Sequence, residues 1–142
     1  MISLSIRIEV FIMKFALASV GFVNGKLLYN KEVIINTIKG CSGQTDMVIF
    51  GEAFLQGFYA ATFNPEQDSD LALSTDDIII EEIRSAAKQY SVGVSFGFIE
   101  KEKELFYSSQ ITLGPDGTVL DLFHRVSPGW KLPHAGDRKS VV

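Results

Sequence analysis

The chain has 142 residues, 46% of them apolar, and a formal net charge of −4. That supports one hydrophobic core, and the dispersed Lys and Arg residues argue against a nucleic-acid surface. One cysteine excludes an internal disulfide, and with no signal-peptide pattern a cytoplasmic setting is the default expectation.

Residues 1–12 alternate apolar and polar with a period of two, so they could add an edge strand. Arg7, Glu9 and Lys14 leave no apolar run near the ~20 residues of a membrane span. Residues 14–22 read as a buried strand. Asn30 is placed to cap a helix that carries Val33, Ile34 and Ile38 at helical spacing and ends near Gly40. Residues 46–50 read as a second strand, apolar on both faces after Asp46. Residues 54–61 read as a short helix, since Leu55, Phe58 and Tyr59 share a face. A polar loop over 64–70 follows. Ser74 or Thr75 then opens the clearest helix, with Ile79, Ile80, Ile83, Ala86, Ala87 and Tyr90 along its apolar face. Three strands complete the pattern, at 91–100, 104–113 and 118–124, the last two joined by the turn signal Gly114-Pro-Asp-Gly117. Alternating strands and helices followed by a hairpin predict an α/β fold, a mixed sheet with helices on one face.

The stretch with most chemistry in it is Met47-Val-Ile-Phe-Gly-Glu-Ala-Phe-Leu-Gln-Gly-Phe58. Gly51 breaks the apolar run, and Glu52 arrives where the strand would leave the sheet, the end at which open α/β sheets collect their chemistry. Walled by Phe50, Phe54 and Phe58, that carboxylate would be partly desolvated and suited to general-base work. Glu52 could equally cap the following segment and face water. Cys41, in Gly40-Cys-Ser-Gly-Gln44, reads as a small apolar filler. His124 and His134 read as a strand-end and a loop residue, without the Cys or carboxylate frame of a zinc site. Gly93-Val-Ser-Phe-Gly97 lacks the Lys and the glycine spacing of a phosphate loop, and the chain has no Gly-x-Ser-x-Gly elbow.

Three segments, in order and at matching spacing, resemble the nitrilase or carbon–nitrogen hydrolase superfamily, from Met13 to about Gly136. Met13-Lys-Phe-Ala-Leu-Ala-Ser-Val20 is similar to its first strand. Asp46-Met-Val-Ile-Phe-Gly-Glu52 is similar to its hydrophobic strand ending Phe-Pro-Glu, with Gly51 in the proline position. Tyr107-Ser-Ser-Gln-Ile-Thr-Leu-Gly-Pro-Asp-Gly-Thr-Val-Leu-Asp-Leu-Phe-His-Arg125 is similar to its hairpin ending Tyr-Arg-Lys. The resemblance implies an α-β-β-α sandwich of which about the N-terminal half is present, with an apolar sheet face left uncovered. Residues 1–12 then read as an upstream extension and 13–136 as a partial carbon–nitrogen hydrolase domain. Residues 137–142, Asp137-Arg-Lys-Ser-Val-Val142, match a translated sequencing-adapter read and are expected to be a non-native tail.

The resemblance further implies cofactor-free, metal-free hydrolysis of an amide, nitrile or carbamoyl C–N bond by a Glu, a Lys and a Cys. A thiol needs a base to become a nucleophile, and the charge built by its attack needs a fixed cation or N–H donor. Glu52 matches the base. Arg125 stands in the lysine position, with Lys131 a rival ammonium; a guanidinium is never deprotonated, so Arg125 could not also donate a proton. Phe54, Phe58, Tyr59 and Trp130 would shape a substrate pocket, or be ordinary packing. The family's cysteine lies some tens of residues beyond the lysine and has no counterpart here, so the fragment is expected to be inactive. The implied partners are a small-molecule amide, nitrile or carbamoyl substrate and no nucleic acid or membrane, with a homo-oligomeric full-length parent. The alternative is a non-catalytic binding or assembly module of the same fold, hinted at by the arginine in the lysine position.

Overall fold

A computed structural model describes residues 11–62, 64–125 and 140–141. In chain order the elements are β1 (Phe15–Leu17), α1 (Leu27–Cys41), β2 (Met47–Ile49), α2 (Pro65–Asp68), α3 (Ile78–Tyr90), β3 (Gly93–Glu102), β4 (Leu105–Leu113), β5 (Val119–His124) and β6 (Ser140–Val141). The six strands make one sheet in sequence order. β1, β2 and β3 run parallel, because a helix or a long crossover separates each pair; β3 to β6 run antiparallel, the first two turns being short. This is the mixed α/β sheet expected, with Ser140 and Val141 pairing to Phe123 and Leu122 at its edge.

Strand periodicity divides the sheet into two faces. Val48, Val94, Phe96, Phe98, Ile111 and Leu113 form one buried cluster with Ile34 and Ile38 of α1 and Ile80, Ile83, Ala86 and Ala87 of α3. The opposite face changes character across the sheet. Phe15 and Leu17 leave it apolar and exposed on β1, whereas the alternation puts Ser95, Thr112, Gln110 and Ser108 on it across β3 and β4. The open face is thus apolar at β1 and polar across β3 and β4.

Several local expectations are corrected. β1 covers three residues, not nine, since Val20, Phe22 and Val23 lie in partly exposed loop. α1 begins at Leu27, so Asn30 is not its cap. Asn30 is fully buried; its carbonyl accepts from Val23 N–H (2.8 Å), and its amide donates to Val23 O (2.9 Å) and Leu55 O (3.0 Å). Interior backbone groups need partners, and here one side chain supplies three of them. Asn30→Ala is expected to cost about 3 kcal/mol, read as a lowered urea midpoint, by orphaning those groups.

Residues 54–61 form turns, not a helix. Gln56, fully buried, takes the place of a strand neighbour: Ile99 N–H donates to its Oε1 (2.9 Å) and its Nε2 donates to Ile99 O (3.1 Å) and Leu71 O (3.2 Å). α3 starts at Ile78, not at Ser74 or Thr75. Asp77 is the cap, accepting Ile79 N–H at 2.9 Å, while Ser74 Oγ donates to Asp76 instead. Asp77→Ala should lower stability by about 1 kcal/mol by the same measurement.

Candidate active site

The site begins with a glycine. Gly97, on β3, lies under the Gly51–Ala53 turn: a methyl group there would stand 2.4 Å from Ala53 N and 2.7 Å from Glu52 Cα. Without one, the turn lies on the strand and hydrogen-bonds to it on both sides. Gly97 N–H donates to Gly51 O (3.2 Å), and Leu55 N–H donates to Gly97 O (3.1 Å). The turn needs Ala53 at φ 49°, an uncommon conformation for a residue with a Cβ. Glu52 is thereby held over the polar half of the open face.

β4 and β5 bring the partners. Register sets Ile99 opposite Ser108, and Ser109 opposite His124. One residue past β5, Arg125 N–H still donates to Ser108 O at 2.9 Å. Successive strand residues point to opposite faces, so His124 and Arg125 diverge. His124 Nε2 meets Glu100 Oε2 at 2.9 Å, both side chains being about 5% exposed; Ser109 Oγ donates to the same oxygen at 2.6 Å, and the Tyr107 ring stacks on the imidazole at 4.2 Å. Arg125 crosses the other face, where Nη1 lies 2.5 Å from Glu52 Oε1. Ser108 Oγ donates to that oxygen at 2.9 Å.

Glu52, Ser108, Ser109, Gln110, Phe123 and Arg125 line a cavity of about 350 Å³. Gln110 is anchored to Ser95 Oγ at 2.9 Å, and Thr112 donates to that hydroxyl at 3.0 Å. The Glu52 and Arg125 side chains remain 36% and 34% exposed. The carboxylate therefore sits in an open cleft against a fixed cation, and among the described residues it is Phe123, not Phe54 or Phe58, that lines it. A carboxylate so placed can take a proton from a group entering the cavity, and a guanidinium beside it can meet developing negative charge.

The expected aromatic wall is elsewhere. Phe50 and Phe54 belong to the buried cluster, their rings 4.8 Å apart, and Phe54 meets the edge of Phe22 at 5.5 Å. Phe58 packs on Tyr59, which is 80% exposed, and neither lines the cavity. Among the described residues, Phe123 is the aromatic that does. Trp130, Lys131 and His134 lie outside the described residues. Cys41 ends α1 and packs, partly buried, against the core. Ser108, Gln110 and Phe123 were missed as site residues. The period-two pattern of β4 marks Ser108 and Gln110 as sharing a face, but only the register with β3 and β5 places that face under Glu52.

The family model for carbon–nitrogen hydrolase matches residues 16–138. The chain belongs to the carbon–nitrogen hydrolase family. It is 30% identical over 134 residues to an (R)-stereoselective amidase of Pseudomonas sp., covering 92% of this chain and 47% of that protein. It is 27% identical over 99 residues to a bromoxynil-specific nitrilase of Klebsiella pneumoniae subsp. ozaenae, covering 63% of this chain and 28% of that one. Among solved structures, a CN-hydrolase superfamily protein of Xanthomonas campestris superposes with a TM-score of 0.69 at 17% identity, over 81% of this chain and 41% of its own. An amidase of Nesterenkonia sp. superposes with a TM-score of 0.68 at 15% identity, over 89% and 49%. The carbon–nitrogen hydrolase fold is thus shared, and this chain spans less than half the length of the curated relatives named.

Proposed function

We propose that this chain carries the base and the charge-stabilising group of a cofactor-free thiol hydrolase acting on a small amide, nitrile or carbamoyl compound. The observation that carries the reading is Glu52 and Arg125 meeting over one cavity, from two segments 73 residues apart. The proposed nucleophile is a cysteine other than Cys41. Glu52 takes the thiol proton, the thiolate attacks the carbonyl or nitrile carbon, and Arg125 or Lys131 meets the charge that develops. With an amide or carbamoyl substrate, Glu52 returns the proton to the leaving nitrogen, then takes a proton from the water that cleaves the acyl-thioester and passes it to the departing thiolate. A nitrile first gives a thioimidate, which takes up one additional water and releases ammonia to reach the same acyl-thioester.

Reading the gene past codon 136, expressing the encoded protein and measuring ammonia release tests this. Glu52→Gln is expected to lower kcat by about 10²–10⁴-fold, the usual contribution of a general base, and Arg125→Ala by about 10²-fold or more. Turnover untouched by Glu52→Gln would overturn the proposal. One observation favours a non-catalytic binding module instead: the cation at the family's lysine position is an arginine, already paired with the base. That second reading requires a downstream sequence without a strand-end cysteine and no ammonia release.

A further inference from the structure

We infer that Ser108 is a positioning residue for Glu52, fixing one carboxylate oxygen so that the other is the proton acceptor. The inference rests on the proposed role of Glu52 for its functional meaning, though not for its test. Three observations carry it. Both contacts that the described residues make to the carboxylate, Ser108 Oγ at 2.9 Å and Arg125 Nη1 at 2.5 Å, fall on Oε1, so Oε2 is engaged by neither. Ser108 is buried in the middle strand of three, opposite Ile99 on β3, and its own carbonyl accepts Arg125 N–H at 2.9 Å. One residue therefore orders the base through its hydroxyl and the cation through its backbone. Serine also suits the task physically, since a single χ angle leaves little rotamer freedom to lose.

A carboxylate held by a long arginine alone can swing about its own terminal torsion, which is broad and nearly two-fold. A second donor from a rigid strand removes that freedom. Hydrogen bonds to ionised groups are about twice as strong as neutral ones, so the Ser108 contact has leverage out of proportion to its size.

The test is NMR on the 142-residue chain at neutral pH, following the Glu52 side-chain carboxyl carbon and the Arg125 guanidinium N–H signals. Ser108→Ala is expected to shift the Glu52 carboxyl signal and, with it, the Arg125 guanidinium signals, because the carboxylate that Arg125 Nη1 meets loses its second donor. Backbone amide protection along β4 should stay as in the wild type, reporting an intact sheet. Should Ser108→Ala lose that protection, Ser108→Thr and Ser108→Val provide the same comparison at equal shape, and only the threonine variant should keep the wild-type signals. Unchanged Glu52 and Arg125 signals in Ser108→Ala, or identical signals in the Thr and Val variants, would overturn the inference. These signals do not depend on turnover, so a positive result beside an inactive full-length protein rejects the hydrolase reading alone.

Discussion

Gly97→Ala will destabilise the chain by about 2 kcal/mol, whereas Gly51→Ala will change stability by no more than about 0.5 kcal/mol. Gly97 does not occupy the left-handed region, so alanine is allowed there by backbone geometry and even gains about 0.5–1 kcal/mol in strand propensity. The steric term opposes that gain and wins. The atoms a methyl group would meet, Ala53 N at 2.4 Å, Glu52 Cα at 2.7 Å and Glu52 C at 2.8 Å, are backbone and cannot rotate away. Gly51 has nothing within 4 Å of its would-be Cβ. The clash also lands on Glu52, the proposed base. Relief by lifting the turn would pull Glu52 from Ser108 and Arg125, and a displacement near 1 Å can lower turnover about 10²-fold. Urea midpoints of the two variants decide the first claim; equal midpoints would show that the Gly51–Ala53 turn does not lie on β3 as described.

His124→Ala will cost about 3 kcal/mol, the usual consequence of taking a hydrogen-bond partner from a buried polar group. The loss leaves the Glu100 carboxylate inside the sheet with Ser109 Oγ at 2.6 Å and without the imidazole at 2.9 Å or its stacking on Tyr107 at 4.2 Å. Replacing both members with apolar residues, as in Glu100→Leu/His124→Leu, should recover most of that loss, because no buried polar group is then left without its partner. A double-mutant cycle in urea measures the coupling; independent, additive effects of the two positions would refute it. The consequence reaches the site through the backbone. His124 is the last residue of β5 and Arg125 the next, so loosening the first frees the second from its ladder bond to Ser108.

Much of the architecture was legible in local pattern. The spacing of Ile80, Ile83, Ala86 and Ala87 marked the buried face of α3, and the alternation in β3 to β5, with Gly114-Pro-Asp-Gly117 between the last two, marked the hairpin. Such features follow from period, turn chemistry and apolar content, which a segment carries within itself. Where a side chain serves a distant backbone, the local reading failed. Asn30 has the chemistry of a cap, yet it is used inside α1 to satisfy Val23 and Leu55. Phe50 and Phe54 sit beside Glu52 in sequence, and that adjacency suggested an aromatic wall. A buried aromatic is held by the core it can fill, and the helix-side cluster claimed both.

Glu52 as the residue of interest, and Arg125 as its partner by position, could be named from the chain alone through family resemblance. That the two touch, that Ser108 joins them and that Phe123 lines their cavity depended on strand register. A strand's pleat says which residues share a face but not which strand lies alongside or how far it has slid. Glu52 and Ser108 are 56 residues apart, and Glu52 and Arg125 are 73 apart. Only the pairing of β3, β4 and β5, with a glycine at 97 narrow enough for the turn above it, brings the three within hydrogen-bonding distance.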